Sequence, residues 1–171
     1  MQLLSILRGA FDESPWYGYV VAESPELLAI HTVSDRYDLD GYRVFRQGDI
    51  TERKESFNRR ELIETALRLK GLAPHAPSTF ELFGMRELIE SVQGTYGAVI
   101  INQEALRSHE VEVGAVRMAT RETYVLRGLT PNAEWENDDR PFRYRDITML
   151  EFGGEYEETL VMVANARSSR A

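Results

Sequence analysis

The sequence predicts an α+β protein, mainly β, made of two similar five-stranded barrels, each followed by a helix, with one extra helix between them. Three observations carry this expectation. Short segments rich in β-branched and aromatic residues recur along the chain, separated by polar turns. The stretch FRQGDIT at 45–51 returns as FRYRDIT at 142–148, so that Asp49 and Asp146, Ile50 and Ile147, and Thr51 and Thr148 each lie 97 positions apart. Upstream, GYVVAESPELLAI from Gly18 lies over GAVRMATRETYVL from Gly114, 96 positions on.

In the first copy, residues 3–7, 16–22, 26–33, 42–46 and 50–55 read as strands. ESPE at 23–26 has the proline and short polar side chains of a tight turn, and SDRYDLDG before Tyr42 makes a longer loop. Leu62, Ala66 and Leu69, with Ile63 and Leu67 beside them, then repeat at helical spacing, with Asn58 as the expected N-cap and Gly71 where a C-terminal cap belongs. GLAPHAP is the best linker in the chain, and FELFGMRELIESV after it predicts the extra helix, with Leu88, Ile89 and Val92 on one face. The second copy reads as strands at 97–102, 111–119, 122–129, 141–145 and 147–152, closed by a helix that buries Tyr156, Leu160 and Val163. The domain division is therefore 1–71, first barrel plus helix; 72–95, linker and extra helix; 96–165, second barrel plus helix; and 166–171, a disordered tail.

Composition limits function. There is no cysteine, hence no disulfide, no thiolate metal site and no cysteine nucleophile. The chain has no long apolar run, and MQLLSILRGAFDES has no basic leader, so a cytoplasmic protein without membrane contact is expected. A net charge of −8 argues against general nucleic-acid binding, because that affinity comes from cations neutralising phosphates. The charge is uneven. Residues 41–70 hold eight basic and five acidic side chains, and the matching stretch 138–167 holds four and seven.

Five short strands and a helix per copy resemble the small Src-homology-3-like barrels of the Sm-like and Tudor-like kind, and the helix ahead of the second strand set lies where an Sm-like fold keeps its helix. The Sm family's own motif is missing, since the chain's Arg127-Gly128 pair falls in the third strand of the second copy. The DGY turn at 40–42, the DIT turn and FGGEYEE at 152–158 resemble an uncharacterised bacterial family spanning most of the chain, and no activity comes with that resemblance.

Asp49 and Asp146 are read as structural turn residues whose carboxylates accept hydrogen bonds from turn amides, since no His, Lys or Tyr recurs beside them as a catalytic partner. His31, His75 and His109 share no helical i, i+4 spacing, so no metal site and no cofactor is expected. DRYDLDG fails as a calcium loop because Arg36 and Gln47 fall at ligand positions. The glutamates after FGG would repel a phosphate at that helix start. Three functional classes remain. The first is a non-catalytic interaction module that binds a protein partner or a second copy of itself through Tyr37, Asp38, Asp40 and Tyr42 and through Glu134, Trp135 and Glu136 in the loop TPNAEWENDDRP. The second is an Sm-like RNA-associated protein using Arg43, Arg46, Arg53, Lys54, Arg59 and Arg60. The third is an enzyme with a site between the barrels, for which the sequence names no catalytic residue.

Overall fold

A computed structural model describes residues 1–108 and 110–169; His109 and residues 170–171 lie outside the described part. Ten antiparallel strands and three helices alternate in the order β1 (Leu3–Leu7), β2 (Trp16–Glu23), β3 (Leu27–Val33), β4 (Leu39–Arg46), β5 (Glu52–Lys54), α1 (Arg60–Lys70), α2 (Met85–Gln93), β6 (Val99–Asn102), β7 (Val111–Ala119), β8 (Thr123–Leu129), β9 (Trp135–Arg143), β10 (Met149–Phe152) and α3 (Glu155–Ser168). The protein is α+β and mainly β, but the strands form one open sheet in the order β5-β1-β2-β3-β4-β10-β6-β7-β8-β9. Each copy contributes its strands in the order fifth, first, second, third, fourth, and the fourth strand of the first copy pairs with the fifth strand of the second.

The duplication is visible in register. Leu27 pairs with Arg46 and Thr123 with Arg143, and bulges interrupt the ladders at Val20/Ala22 and His31/Val33 in the first copy and at Val116/Met118 and Arg127/Leu129 in the second. Gly18 and Gly114 are both buried where the neighbouring strand's carbonyl, of His31 or Arg127, leaves no room for a Cβ. Tyr37 and Ala133 both take left-handed backbone angles, at φ 58° and 56°. The side chains of Ser34 and Thr130 accept the N–H groups that close these two turns, from Asp38 and Glu134. Lys70 of α1 donates to the Arg36 carbonyl, and Arg167 of α3 to the Asn132 carbonyl.

The repeated aspartates do sit in turns, each ending a 3-10 turn at Gln47–Asp49 or Tyr144–Asp146. Among the described residues, no amide donates to either carboxylate. Asp49 Oδ2 is buried without a partner, and Asp146 only approaches Arg145 at 3.7 Å. The threonine of DIT carries the bonding instead. Thr51 Oγ1 accepts the Gly9 N–H at 2.8 Å and donates to the Leu7 carbonyl at 3.1 Å. Thr148 Oγ1 accepts the Glu104 N–H at 3.2 Å and lies 3.0 Å from the Asn102 carbonyl and 2.6 Å from Glu104 Oε2. A hydroxyl both gives and takes, which a carboxylate does not.

Several expected boundaries move. Most of TPNAEWENDDRP is strand, because β9 runs from Trp135 to Arg143 on the outer edge, where solvent replaces one neighbour and the side chains stay polar. Arg59, not Asn58, occupies the cap of α1, without a side-chain cap bond, while Gly71 is left-handed at φ 70° as its position predicts. In α3, Leu160 is buried as expected, but Tyr156 is exposed, and Glu157 and Ala164 are buried in place of Tyr156 and Val163. Glu157 reaches back to the Gly154 N–H at 2.6 Å, and burial raises its carboxyl pKa above the ordinary range. Residues 166–168, where the sequence predicts the start of a tail, continue α3, and 170–171 of that tail lie outside the described residues.

The core explains the extra helix. Leu27, Ala29, Tyr42 and Val44 of the first copy, Leu88, Ile89 and Val92 of α2, and Ile101, Leu126, Leu150 and Phe152 of the second copy form one apolar cluster. The opposite face of β3 and β4 supplies Leu28, Ile30 and Phe45 to a second cluster with Leu4, Ile6 and Met149. With both faces covered, all seven residues of β3 are buried. Helices α1 and α3 do equivalent work at the two flanks, Ile63 and Leu67 packing on Leu3 and Val33, and Leu160 and Ala164 on Ala98 and Leu129.

Thr148→Val is expected to lower unfolding free energy by about 1–3 kcal/mol, since it strands buried groups around it. Thr51→Val, at an exposed position, should cost less than about 1 kcal/mol. Urea denaturation of the two variants checks the order.

Candidate functional site

An open cleft of about 850 Å³ lies on the first copy. One wall is the connection from β1 to β2, contributing Phe11, Asp12, Glu13 and Trp16; the other is the end of β3 and the turn after it, contributing Thr32 and Asp35. Asp40, Arg43, Arg59 and Glu104 complete it.

Its floor is fixed by an arginine that sequence reading missed. Arg8 is fully buried. Its guanidinium donates to Asp12 Oδ1 at 2.6 Å and Oδ2 at 3.0 Å, and to Glu104 Oε1 and Oε2 at 2.8 Å each, and it lies 5.3 Å from the Phe11 ring and 5.5 Å from the Phe45 ring. Burial by itself would favour the neutral form, but the hydrogen bonds to Glu104 and Asp12 outweigh it and raise the pKa, so the group is always charged. Asp12 also accepts the Trp16 indole N–H at 3.0 Å. Arg43 stacks on the other side of the site, its guanidinium 4.0 Å from the Trp16 ring centroid and its Nε donating to Glu151 Oε2 at 2.7 Å.

Asp12 and Glu104 are thus neutralised by Arg8. Glu13 and Asp35 are exposed and make no ion pair among the described residues, and Asp40 accepts only the Glu155 N–H, at 2.8 Å. Against these three acids the cleft offers one cation without an ion pair among the described residues, Arg59. Thr32 Oγ1, on a residue 2% exposed, has no hydrogen-bond partner among the described residues. The cleft is therefore acidic, aromatic-walled, and carries an unsatisfied hydroxyl in its lining.

The residues expected to bind a partner are divided by the fold. Tyr37 packs in the α1 cluster, Asp38 pairs with Lys70 at 2.6 Å, and Tyr42 is buried. Asp40 alone of that group lines the cleft. Glu134, Trp135 and Glu136 occupy the equivalent turn and strand of the second copy. Trp135 is half-buried against the α3 cluster with Arg127 over its ring at 5.4 Å, and Glu136 pairs with Arg140 at 2.5 Å, so this is no exposed loop tip. Of the six basic residues, Arg46 donates to the Tyr144 and Ile147 carbonyls, Arg53 pairs with Glu23, Lys54 with Glu52, Arg60 with Glu64, and Arg43 with Glu151. Only Arg59 is uncommitted among the described residues.

The fold brings together two histidines that sequence spacing kept apart. His75, in the linker, donates its backbone N–H to His31 Nδ1 at 3.3 Å, and the rings meet edge to face at 4.6 Å. His31 stacks on Tyr42 at 4.7 Å, and Tyr42 on Phe152 at 5.3 Å. No cluster of three or more potential metal-ligating side chains occurs among the described residues. Nor is any described helix long and apolar enough to cross a membrane. The phenols of Tyr124 and Tyr144 are buried without partners, and burial raises the pKa of both.

No family model, curated protein or solved structure matches the chain.

Burial, and next the neighbouring His75, lowers the His31 pKa to about 4. The unfolded chain, with a histidine near 6.5, then binds more protons than the folded one between those values, so stability falls as pH drops from about 6.5 to 4. Replacing His31 by Phe should remove about 2 kcal/mol of this loss, read as the difference between wild-type and variant urea midpoints at the two ends of the window.

Proposed function

We propose that the protein is a non-catalytic interaction module, an Sm-like pair of barrel units fused through one sheet, which receives a basic segment of a partner protein in the cleft of its first copy. The observation that carries this reading is the cleft's unbalanced charge beside aromatic walls: Glu13, Asp35 and Asp40 face Arg59 alone, next to Phe11 and Trp16. A lysine or arginine side chain gains from the local negative potential and from contact with aromatic faces. The strand order, fifth-first-second-third-fourth in each copy, supports the Sm-like part of the reading. RNA binding fits less well, because five of the six cations that would meet phosphates are spent on partners inside the chain. The enzyme reading lacks a nucleophile and base in contact within the cleft, and the space between the copies is filled by the main core.

The test is a titration of Trp16 fluorescence, in a Trp135→Phe background, with a tetra-arginine peptide, a tetra-glutamate peptide and a single-stranded RNA. Saturable binding of the basic peptide is expected, weakened about tenfold or more when Glu13 and Asp35 are both changed to Arg. Preference for RNA or for the acidic peptide would overturn the proposal.

A further inference from the structure

The junction between the copies is a head-to-tail contact: β4 of the first copy meets β10, the fifth strand of the second. The same two strand types are left unpaired at the ends of the sheet, β9 being the fourth strand of the second copy and β5 the fifth of the first. A head-to-tail contact with free ends can repeat from molecule to molecule, giving rings or fibres. We infer that the open edges β5 and β9 are built to reject each other, so that the sheet terminates at two copies and the molecule works as a monomer.

Register makes the comparison position by position. At the internal junction Phe45 lies opposite Met149, Val44 opposite Leu150, Arg43 opposite Glu151 and Tyr42 opposite Phe152. The ladders of the two copies equate Glu52, Arg53 and Lys54 with Met149, Leu150 and Glu151, and Pro141, Arg140 and Asp139 with Val44, Arg43 and Tyr42. A repeated junction would therefore set Phe142 against Glu52, Pro141 against Arg53, Arg140 against Lys54 and Asp139 against Glu55. The Arg43–Glu151 ion pair becomes a cation facing a cation, and the Tyr42–Phe152 stack becomes two facing carboxylates. Like charges directly opposite in a ladder are destabilising.

Backbone chemistry agrees. Tyr144 donates its N–H to the Glu122 carbonyl, so by the alternation of an antiparallel ladder residue 141 directs its nitrogen away from β8, towards the free edge. That residue is proline, which has no hydrogen to give. Its counterpart Val44 faces β10 from the same position. The Arg8–Glu104 pair is lost as well, because the corresponding residues are Gln103 and Gly9. Phe45, Arg43 and Arg46 keep like counterparts in Phe142, Arg140 and Arg143, but the side chains that the first two would meet become Glu52 and Lys54. Charged side chains and proline are the usual means by which edge strands avoid pairing.

Sedimentation equilibrium and amide exchange test this. The wild type should keep its monomer mass from micromolar to near-millimolar concentration, with amides of Glu52–Lys54 exchanging at a rate independent of concentration. A variant carrying Asp139→Tyr, Pro141→Val, Lys54→Glu and Glu55→Phe restores the junction's chemistry at exposed positions and should at least double in mass as concentration rises. Wild-type association that protects the β5 amides would overturn the inference, as would a folded variant that stays monomeric. Circular dichroism checks folding of the variant; should it not fold, the wild-type exchange measurement decides alone.

Discussion

The antiparallel contact between β4 and β10 is the constraint on which the rest of the molecule depends. It turns two strand sets into one sheet, and it demands that each residue along it suit a neighbour on both sides. This is why the fifth strand of the second copy reads Met149, Leu150 and Phe152, all buried, while the fifth strand of the first reads Glu52, Arg53 and Lys54, all exposed. The same fold position is a centre in one copy and an edge in the other, and the side chains follow the position, not the ancestry.

Polar contacts lock that junction and shape the cleft at the same time. Glu104, from the second copy, closes the salt bridge that buries Arg8, and Glu151 holds Arg43 over Trp16. Asp40 accepts the first N–H group of α3, and Gly41, left-handed at φ 60°, lies where a Cβ would collide with the Gly154 backbone. A group in the cleft therefore sits on the seam between copies, with its acidic rim on the first and part of its floor on the second. Buried pairs such as Arg8 with Asp12 and Glu104 add little net stability over an apolar replacement, yet removing one partner is severe, since it leaves a charge in a dry place. Their contribution here is to fix geometry.

Much of the fold was legible. Duplication, strand content, the three helices and the Gly71 cap follow from periodicity and turn chemistry, because those are local properties of the chain. What escaped was decided by neighbours. β9 was anticipated only over 141–143, because an edge strand with Asp138, Asp139 and Pro141 has the composition of a loop. The repeated Asp drew attention from the Thr beside it, although a hydroxyl alone can bridge an amide and a carbonyl. The site was less legible than the fold. The acidic loop supplies Asp40 to the cleft lining, but nothing in the sequence distinguishes Arg8, buried with four side-chain hydrogen bonds, from any surface arginine, and the meeting of His31 with His75 depends on where the linker crosses the sheet.

Because both copies share one apolar core across the seam, they are expected to unfold as one cooperative unit. Each copy holds one tryptophan, Trp16 or Trp135, so single-tryptophan variants report on the two halves separately. Urea unfolding followed by fluorescence in Trp16→Phe and Trp135→Phe proteins, each referenced to its own circular-dichroism transition, is the most direct measurement. The fluorescence midpoint should coincide with the circular-dichroism midpoint in both variants. Two separated transitions, with one tryptophan reporting loss of structure while the other half stays folded, would contradict it.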